Sequence, residues 1–407
     1  MAEQTEKPDS DIVFFLGAGA SVHAGVPHTF DFVEKFQQSE KLTSPETKTV
    51  KEIETILKEW LEKTGKDPRV DIELLMETLD KLNRKNDEQL LHFFELKKFK
   101  LEGFSEKGQI LQKQKEFVKE KVIVSKEKIK YLQSFLGFIQ DYGSIDVFTV
   151  NYDICMEQFC NVFQKTYRDG FEVEWNPKVF DNPNVDIRLY KLHGSVTWYR
   201  TYSGGFAKSM VKSENEQIEL VTGEKAESLM LYPMRKWEYA EPLLENLLNL
   251  KSKLQSPKCK FVVVIGYSFR DEYIRDIFWD SANKNKDLTL VLIDPKASTI
   301  YKDMLLKYKT GFPSSLQGRV ICLPFYFEEV FKGLKNDFLS QLRRGLIQLQ
   351  NAVENELRGI DDPFWIGCLK PLINSYHIEK LEEIIKDKLL LEHLAIEQPI
   401  LVHEIQI

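Results

Sequence analysis

The chain reads as an α/β protein: a Rossmann-like, doubly wound parallel sheet with a large helical insertion and a helical C-terminal region. Three observations predict this. Short runs rich in Val, Ile, Leu and Phe recur along the chain, each ending in small or polar residues. Amphipathic helical patterns separate several of them, as crossovers between parallel strands require. Between the first run and the second lies a long stretch with apolar residues at helical spacing and hardly any glycine.

Residues 11–16 (DIVFFL) form the first run, a buried strand entering the glycine-rich turn GAGAS at 17–21. A helix through Phe30, Phe32, Val33 and Phe36 follows. Residues 43–140 are the helical insertion, in which only 122–124 have any strand character. Strand-like runs return at 145–150, 187–192, 229–232, 261–265, 288–293 and 320–323, with helical patterns at 239–254 and 271–282. Beyond Phe327 the pattern is helical to about 357, breaks at Asp361-Asp362-Pro363, and resumes from 369 to 393 before an apolar tail.

Composition removes several classes. With 43% apolar and 29% charged residues the chain is neither disordered nor fibrous. Its longest apolar runs fall far short of the roughly 18 residues a membrane span needs. The polar start MAEQTEKPDSD carries neither a signal core nor a myristoylation glycine, so a cytoplasmic location is expected. Lys+Arg 56 against Asp+Glu 63 gives a net charge of -7, which disfavours a protein that coats nucleic acid but leaves room for a local basic patch. The five cysteines are scattered and form no Cys-x-x-Cys pair, so they read as reduced, buried thiols with no structural zinc.

In a parallel sheet, ligands bind at the carboxyl ends of the strands, so the residues just after each run carry the functional information. After the first come Gly17, Ala18, Gly19 and Ser21, a turn that lets backbone approach a pyrophosphate or simply turns tightly. Val22 stands where a dehydrogenase fingerprint has its third glycine, and no Walker A lysine is present. After the second come Asn151 and Asp153 in TVNYD, either helix caps or site residues. After the third comes His193 in LHGS, either a structural histidine or a base working near neutral pH. Gly266 and Ser268 in GYSF offer a second place to face phosphate. Asp294 accepts from a ribose or makes a turn with Pro295.

Taken in order, GAGAS, TVNYD, LHGS, GYSF and a strand ending in Asp294 resemble the sirtuin-like superfamily, and its bacterial anti-phage defence branch more closely than the protein deacylases. The resemblance covers residues 11–25 and about 145–325. It implies a sirtuin-like domain made of 1–42 and 141–330, in which Gly17, Ala18, Gly19, Ser21 and Pro27 line a dinucleotide pocket. Asn151, Asp153 and His193 would surround the nicotinamide ribose, and Gly266, Ser268 and Asp294 would hold phosphate and adenosine ribose. Two departures stand out. No cysteine lies between Gly194 and Leu229, where deacylases carry their zinc module, and Pro27 is followed by His28-Thr29-Phe30 in place of the family's phenylalanine-arginine element.

The resemblance therefore implies an NAD+ glycohydrolase that releases nicotinamide and ADP-ribose, with His193 as general base, Asn151 orienting water and ribose, and Asp153 fixing the loop or the nicotinamide amide. It implies no metal. Rival expectations are an NAD-dependent deacylase, a silent NAD or ADP-ribose binding module, and a nucleic-acid-acting subunit. The insertion reads as a solvated helical surface, with a lid or an oligomer contact as alternatives. The region 331–407 ends in an apolar tail that packs on its own domain or docks on a partner. By analogy with the defence branch, a homo-oligomer and a HerA-like hexameric ATPase partner are expected.

Overall fold

The computed structural model describes residues 10–65, 67–83, 109–172, 174–201, 205–208, 226–230, 242–307, 316, 319–323 and 326–327. In chain order it contains β1 (Ile12–Leu16), a 3-10 segment Ala18–Ala24, α1 (Asp31–Gln37), α2 (Ser44–Lys63), α3 (Ile72–Asn83), α4 (Gln109–Val122), a 3-10 segment Lys126–Ser134, α5 (Phe135–Tyr142) and β2 (Ile145–Thr149). Then come α6 (Cys155–Phe163), β3 (Tyr167–Arg168), β4 (Ile187–Lys191), β5 (Gly194–Thr201), β6 (Phe206–Lys208), β7 (Ala226–Met230), α7 (Leu243–Gln255), β8 (Phe261–Ile265), α8 (Glu272–Lys284), β9 (Thr289–Ile293), α9 (Ala297–Lys307) and β10 (Val320–Leu323).

Seven strands pair in the order β10-β9-β8-β1-β2-β4-β3, every pair parallel. This is the doubly wound α/β sheet that the recurrent apolar runs predict. Because side chains alternate across a strand, a sheet buried on both faces needs apolar residues at every position. β1 meets that requirement: Ile12, Phe14 and Leu16 join one core, while Val13 and Phe15 join the other. The first core is continuous through the insertion, taking in Val50 of α2, Leu75 and Met76 of α3 and Phe117 of α4. The second is closed by Leu247, Leu250 and Leu254 of α7 together with Ile274 and Phe278 of α8. Phe14 sits edge-on to Phe135 and Phe138, at centroid distances of 5.0 and 4.9 Å. Such pairs add about 0.5–1.5 kcal/mol to the burial itself.

The insertion is tied down by polar contacts as well. Thr43 and Glu46 form a capping box at the start of α2, and Lys113 of α4 reaches both oxygens of Glu46 at 2.7 and 2.8 Å. Residues 122–124 form no strand, since Val122 closes α4.

One expected parallel strand lies elsewhere. The run expected at 229–232 corresponds to β7, which pairs antiparallel with β5 in a separate sheet ordered β6-β5-β7. β5 itself gave no apolar signal, because Ser195 and Thr197 are buried beside Val196 and Trp198. The helix expected from 239 begins at Leu243. The expectations for 331–407, including the apolar tail, lie outside the described residues. Among the described residues no helix is long and apolar enough to cross a membrane.

Candidate active site

The strand order reverses at β1, whose neighbours β2 and β8 lead away in opposite directions, and a crevice at this switch point is where open α/β sheets bind ligands. The turns after β1 and β8 meet there backbone to backbone. The Gly17 amide donates to the Ile265 carbonyl at 2.9 Å, and the Gly19 amide to the Gly266 carbonyl at 3.0 Å. A Cβ on Gly17 would stand 2.5 Å from the Gly266 oxygen. Gly266 has φ +62°, and a Cβ there would lie 2.4 Å from the Ala20 nitrogen. These glycines are thus required for the two turns to touch, a role distinct from admitting a phosphate. The chain then makes a 3-10 segment, Ala18–Ala24, before α1, in place of one continuous helix.

Asn151 follows β2 and does not cap α6. Its Nδ2 donates to the Gly17 carbonyl at 2.8 Å and to Ser21 Oγ at 3.0 Å, cross-linking the second motif to the first. Its own amide is held by Thr149 Oγ1, which in turn donates to the Leu16 carbonyl. Asp153 is buried and serves α6 directly, its Oδ1 accepting from the Cys155 amide at 3.0 Å. A cavity of about 10 Å³ lies beneath, lined by Ser21, Thr149, Asn151, Asp153 and Lys191 among others. That is space for about one water.

Lys191, the last residue of β4, is the unexpected member. It is 1% exposed, and its Nζ donates to the Asp153 carbonyl, lies 2.7 Å from Glu157 Oε1, and donates to Ser195 Oγ at 3.1 Å. Two hydrogen bonds and one ion pair thus hold the ammonium, as a buried lysine demands. Burial pushes the Glu157 carboxyl up, against the pull of Lys191. This ion pair braces the Asp153 loop from inside.

His193 sits between β4 and β5 and is 2% exposed. Its Nε2 lies 3.2 Å from Asp271 Oδ2, and its Nδ1 lies 3.9 Å from Glu73 Oε1. Tyr152, between the two motif residues of the β2 loop, donates its hydroxyl to the same Glu73 oxygen at 3.1 Å. Burial opposes charge on the imidazole, but Asp271 and Glu73 outweigh it and hold the histidine above its ordinary value. Glu73 is pushed up to about 7, first by burial, with Asp71 and Asp271 adding to it against the pull of His193 and Arg270. Asp271, despite burial, is held down by His193 and by the Ile274 and Tyr273 amides.

Ser268 and Asp294, both after strands, make other contacts. Ser268 is exposed and accepts from Arg270 Nε at 3.2 Å. Asp294 Oδ1 accepts from the Lys296 amide at 2.8 Å, the turn that Pro295 suggested, and burial raises its carboxyl. Pro27 is buried and Ala18 half-buried. The structure thus joins Gly17, Gly19, Ser21, Asn151 and Gly266 directly, and links Asp153 and His193 to them through the β2 and β4 ends, where the Leu192 amide donates to the Thr149 carbonyl at 2.8 Å.

Sequence reasoning missed Asp271, Glu73, Tyr152 and Lys191. Asp271 had a usable signal, a helix-capping aspartate five residues after Gly266. Glu73 had none, being one of many acidic residues in the insertion. Among the described residues no group of three or more His, Cys, Asp or Glu is placed to hold a metal ion.

A Sir2 homologue in complex with NAD aligns at a TM-score of 0.41 and 13% identity, over 82% of this chain and 90% of that one. Sir2Tm bound to a propionylated peptide aligns at 0.36 and 10%, over 79% and 90%, and a Sir2–p53 peptide–NAD+ complex at 0.36 and 11%, over 83% and 93%. No curated protein matches the chain. Residues 146–310 match the family model described as the SIR2-like domain, and that stretch, from β2 through α9, carries Asn151, Asp153, His193, Gly266, Ser268, Asp271 and Asp294.

Proposed function

We propose that the chain is an NAD+ glycohydrolase, cleaving the nicotinamide–ribose bond and passing the ADP-ribosyl group to water. The observation that carries this reading is the pairing, at the switch point of a chain with a SIR2-like domain, of an asparagine cross-linked to the glycine turn with a buried, carboxylate-flanked histidine. In the reaction the bonding electrons leave with nicotinamide, which becomes neutral, and the positive charge passes to the ribose ring as an oxocarbenium-like state. Water adds to that carbon and gives up a proton. His193 takes that proton, directly or from a ribose hydroxyl, and Asp271, held ionised, places negative charge on the side where positive charge develops.

Asn151, fixed by Gly17 and Ser21, orients the ribose and water, and Asp153, braced by Lys191, sets the neighbouring loop. Water as acceptor is favoured by the sequence between Gly194 and Leu229, which holds no cysteine. Gly17, Ala18, Gly19, Ser21, Pro27, Gly266, Ser268 and Asp294 are proposed to contact the dinucleotide. The resemblance also carries a setting: depletion of NAD+ in anti-phage defence, by a homo-oligomer working with a HerA-like ATPase. Co-purification of such a neighbour with the tagged chain tests that part.

The test of the chemistry is incubation of NAD+ with the full chain in water enriched in heavy oxygen. The expected products are nicotinamide and ADP-ribose carrying the heavy label. Unlabelled product, or transfer to a peptide lysine in preference to water, overturns hydrolysis.

A further inference from the structure

Glu73 belongs to α3, inside the helical insertion, yet its carboxylate reaches within 3.9 Å of His193 Nδ1. Three independent anchors put it there. The Ile72 amide donates to the Thr29 carbonyl at 3.0 Å, Gln114 of α4 donates to the Ile72 carbonyl at 3.2 Å, and Arg270 pairs with Asp71 at 3.0 Å. The fourth contact comes from the site itself, the Tyr152 hydroxyl on Glu73 Oε1.

Asp271 approaches the imidazole from the opposite side. One of its oxygens is spent on the Tyr273 and Ile274 amides, at 2.9 and 3.3 Å, and the other lies 3.2 Å from Nε2. Gathering two carboxylates and a phenol around a 2%-exposed imidazole costs desolvation that a fold does not need to incur, and such clusters mark functional sites.

We propose that Glu73 and Asp271 are positioning residues that clamp the His193 imidazole, so that the helical insertion completes the active site. Asp271 lies 3.2 Å from Nε2 and Glu73 3.9 Å from Nδ1, so each ring nitrogen faces a carboxylate. The charged groups facing the cluster are Asp71 and Glu73 from the α3 end, and Arg270 and Asp271 from the α8 end. Asp71 and Arg270 neutralise one another, which leaves Glu73 and Asp271 to act on the ring.

The catalytic half of the proposal rests on the NAD+ reading; the clamp does not, and the experiment separates the two. The imidazoles of the ligand-free chain are titrated by NMR with labelled histidine, His193 being assigned by its loss in His193→Gln. Glu73→Gln keeps the shape and the Tyr152 contact, and Asp271→Asn keeps the helix cap. Each is expected to lower the His193 midpoint by about one pH unit or more, as loss of a carboxylate within 4–6 Å does. Tyr152→Phe, which releases Glu73 without removing its charge, moves it less.

The acidic limb of the pH–rate profile for NAD+ cleavage then shifts the same way, with kcat falling and KM little changed. Lys51→Gln, on the exposed side of α2, is the control and moves neither. A His193 midpoint unchanged by Glu73→Gln overturns the proposal. Shifted midpoints in a chain that leaves NAD+ intact uphold the clamp and overturn the NAD+ reading alone.

Discussion

Replacing Lys191 with Met tests how the site is braced. Met preserves the length and apolar stem of the side chain but removes the ammonium, so Glu157, 1% exposed, loses its cation, and the Asp153 carbonyl and Ser195 hydroxyl lose a donor. Removing one partner of a buried pair costs about 3–5 kcal/mol, because the other charge is stranded. Glu157 already has its carboxyl raised by burial, so in the variant it escapes part of that cost by taking up a proton. The sign follows: a carboxylate whose folded value lies above its unfolded one stabilises the fold at low pH and loses that contribution as pH rises, so the penalty should be smaller at pH 5 than at pH 8, by roughly 1 kcal/mol or more.

The expected loss near neutral pH is about 3 kcal/mol by urea denaturation, read with fluorescence and circular dichroism together to verify a single transition. Lys191→Met combined with Glu157→Leu should recover about 2 kcal/mol of it, since an apolar pair replaces a buried ionic one at little cost. If the single variant lies within about 1 kcal/mol of wild type, or the two changes simply add, the pair does not brace the Asp153 loop.

Two other perturbations probe neighbouring parts. Gly266→Ala forces a side chain into a left-handed backbone and against the Ala20 nitrogen, and should cost about 2–4 kcal/mol in the same denaturation assay while weakening NAD+ binding by calorimetry. Glu73→Gln should flatten the pH dependence of stability: Glu73, raised from 4.5 to about 7, stabilises fully below pH 4.5 and loses that contribution by about pH 7. The wild type should thus fall relative to the variant by up to about 3 kcal/mol across that window, as denaturation midpoints at pH 4.5 and 7.5 would reveal.

The sheet was legible because its strands are buried on both faces, which writes them as unbroken apolar runs; residues 12–16 and 261–265 are the clearest cases. The strand ends were legible for the same reason, since the runs stop at Gly17, Asn151, His193, Gly266 and Asp294, all candidate residues. β5 was not, because it buries Ser195 and Thr197, whose hydroxyls bond to each other at 3.0 Å and so need no apolar neighbours. Lys191 was hidden by its charge: a lysine at a strand end reads as solvated, and only the distant Glu157 makes it a core residue. Glu73 was out of reach altogether. Its role depends on how the insertion folds back over β4, through a core that α3 and α4 share with the sheet, and no local spacing encodes that.

The most direct test of the site assignment is the rate of NAD+ consumption at saturating substrate by wild type, Asn151→Ala and His193→Ala, each confirmed folded and measured at several protein concentrations. Wild type should release nicotinamide and ADP-ribose in equal amounts, and each variant should lose about a hundredfold or more in kcat, the scale expected of a general base or an orienting group. Full turnover by either variant, or intact NAD+ with every form of a chain that binds it, would contradict the assignment.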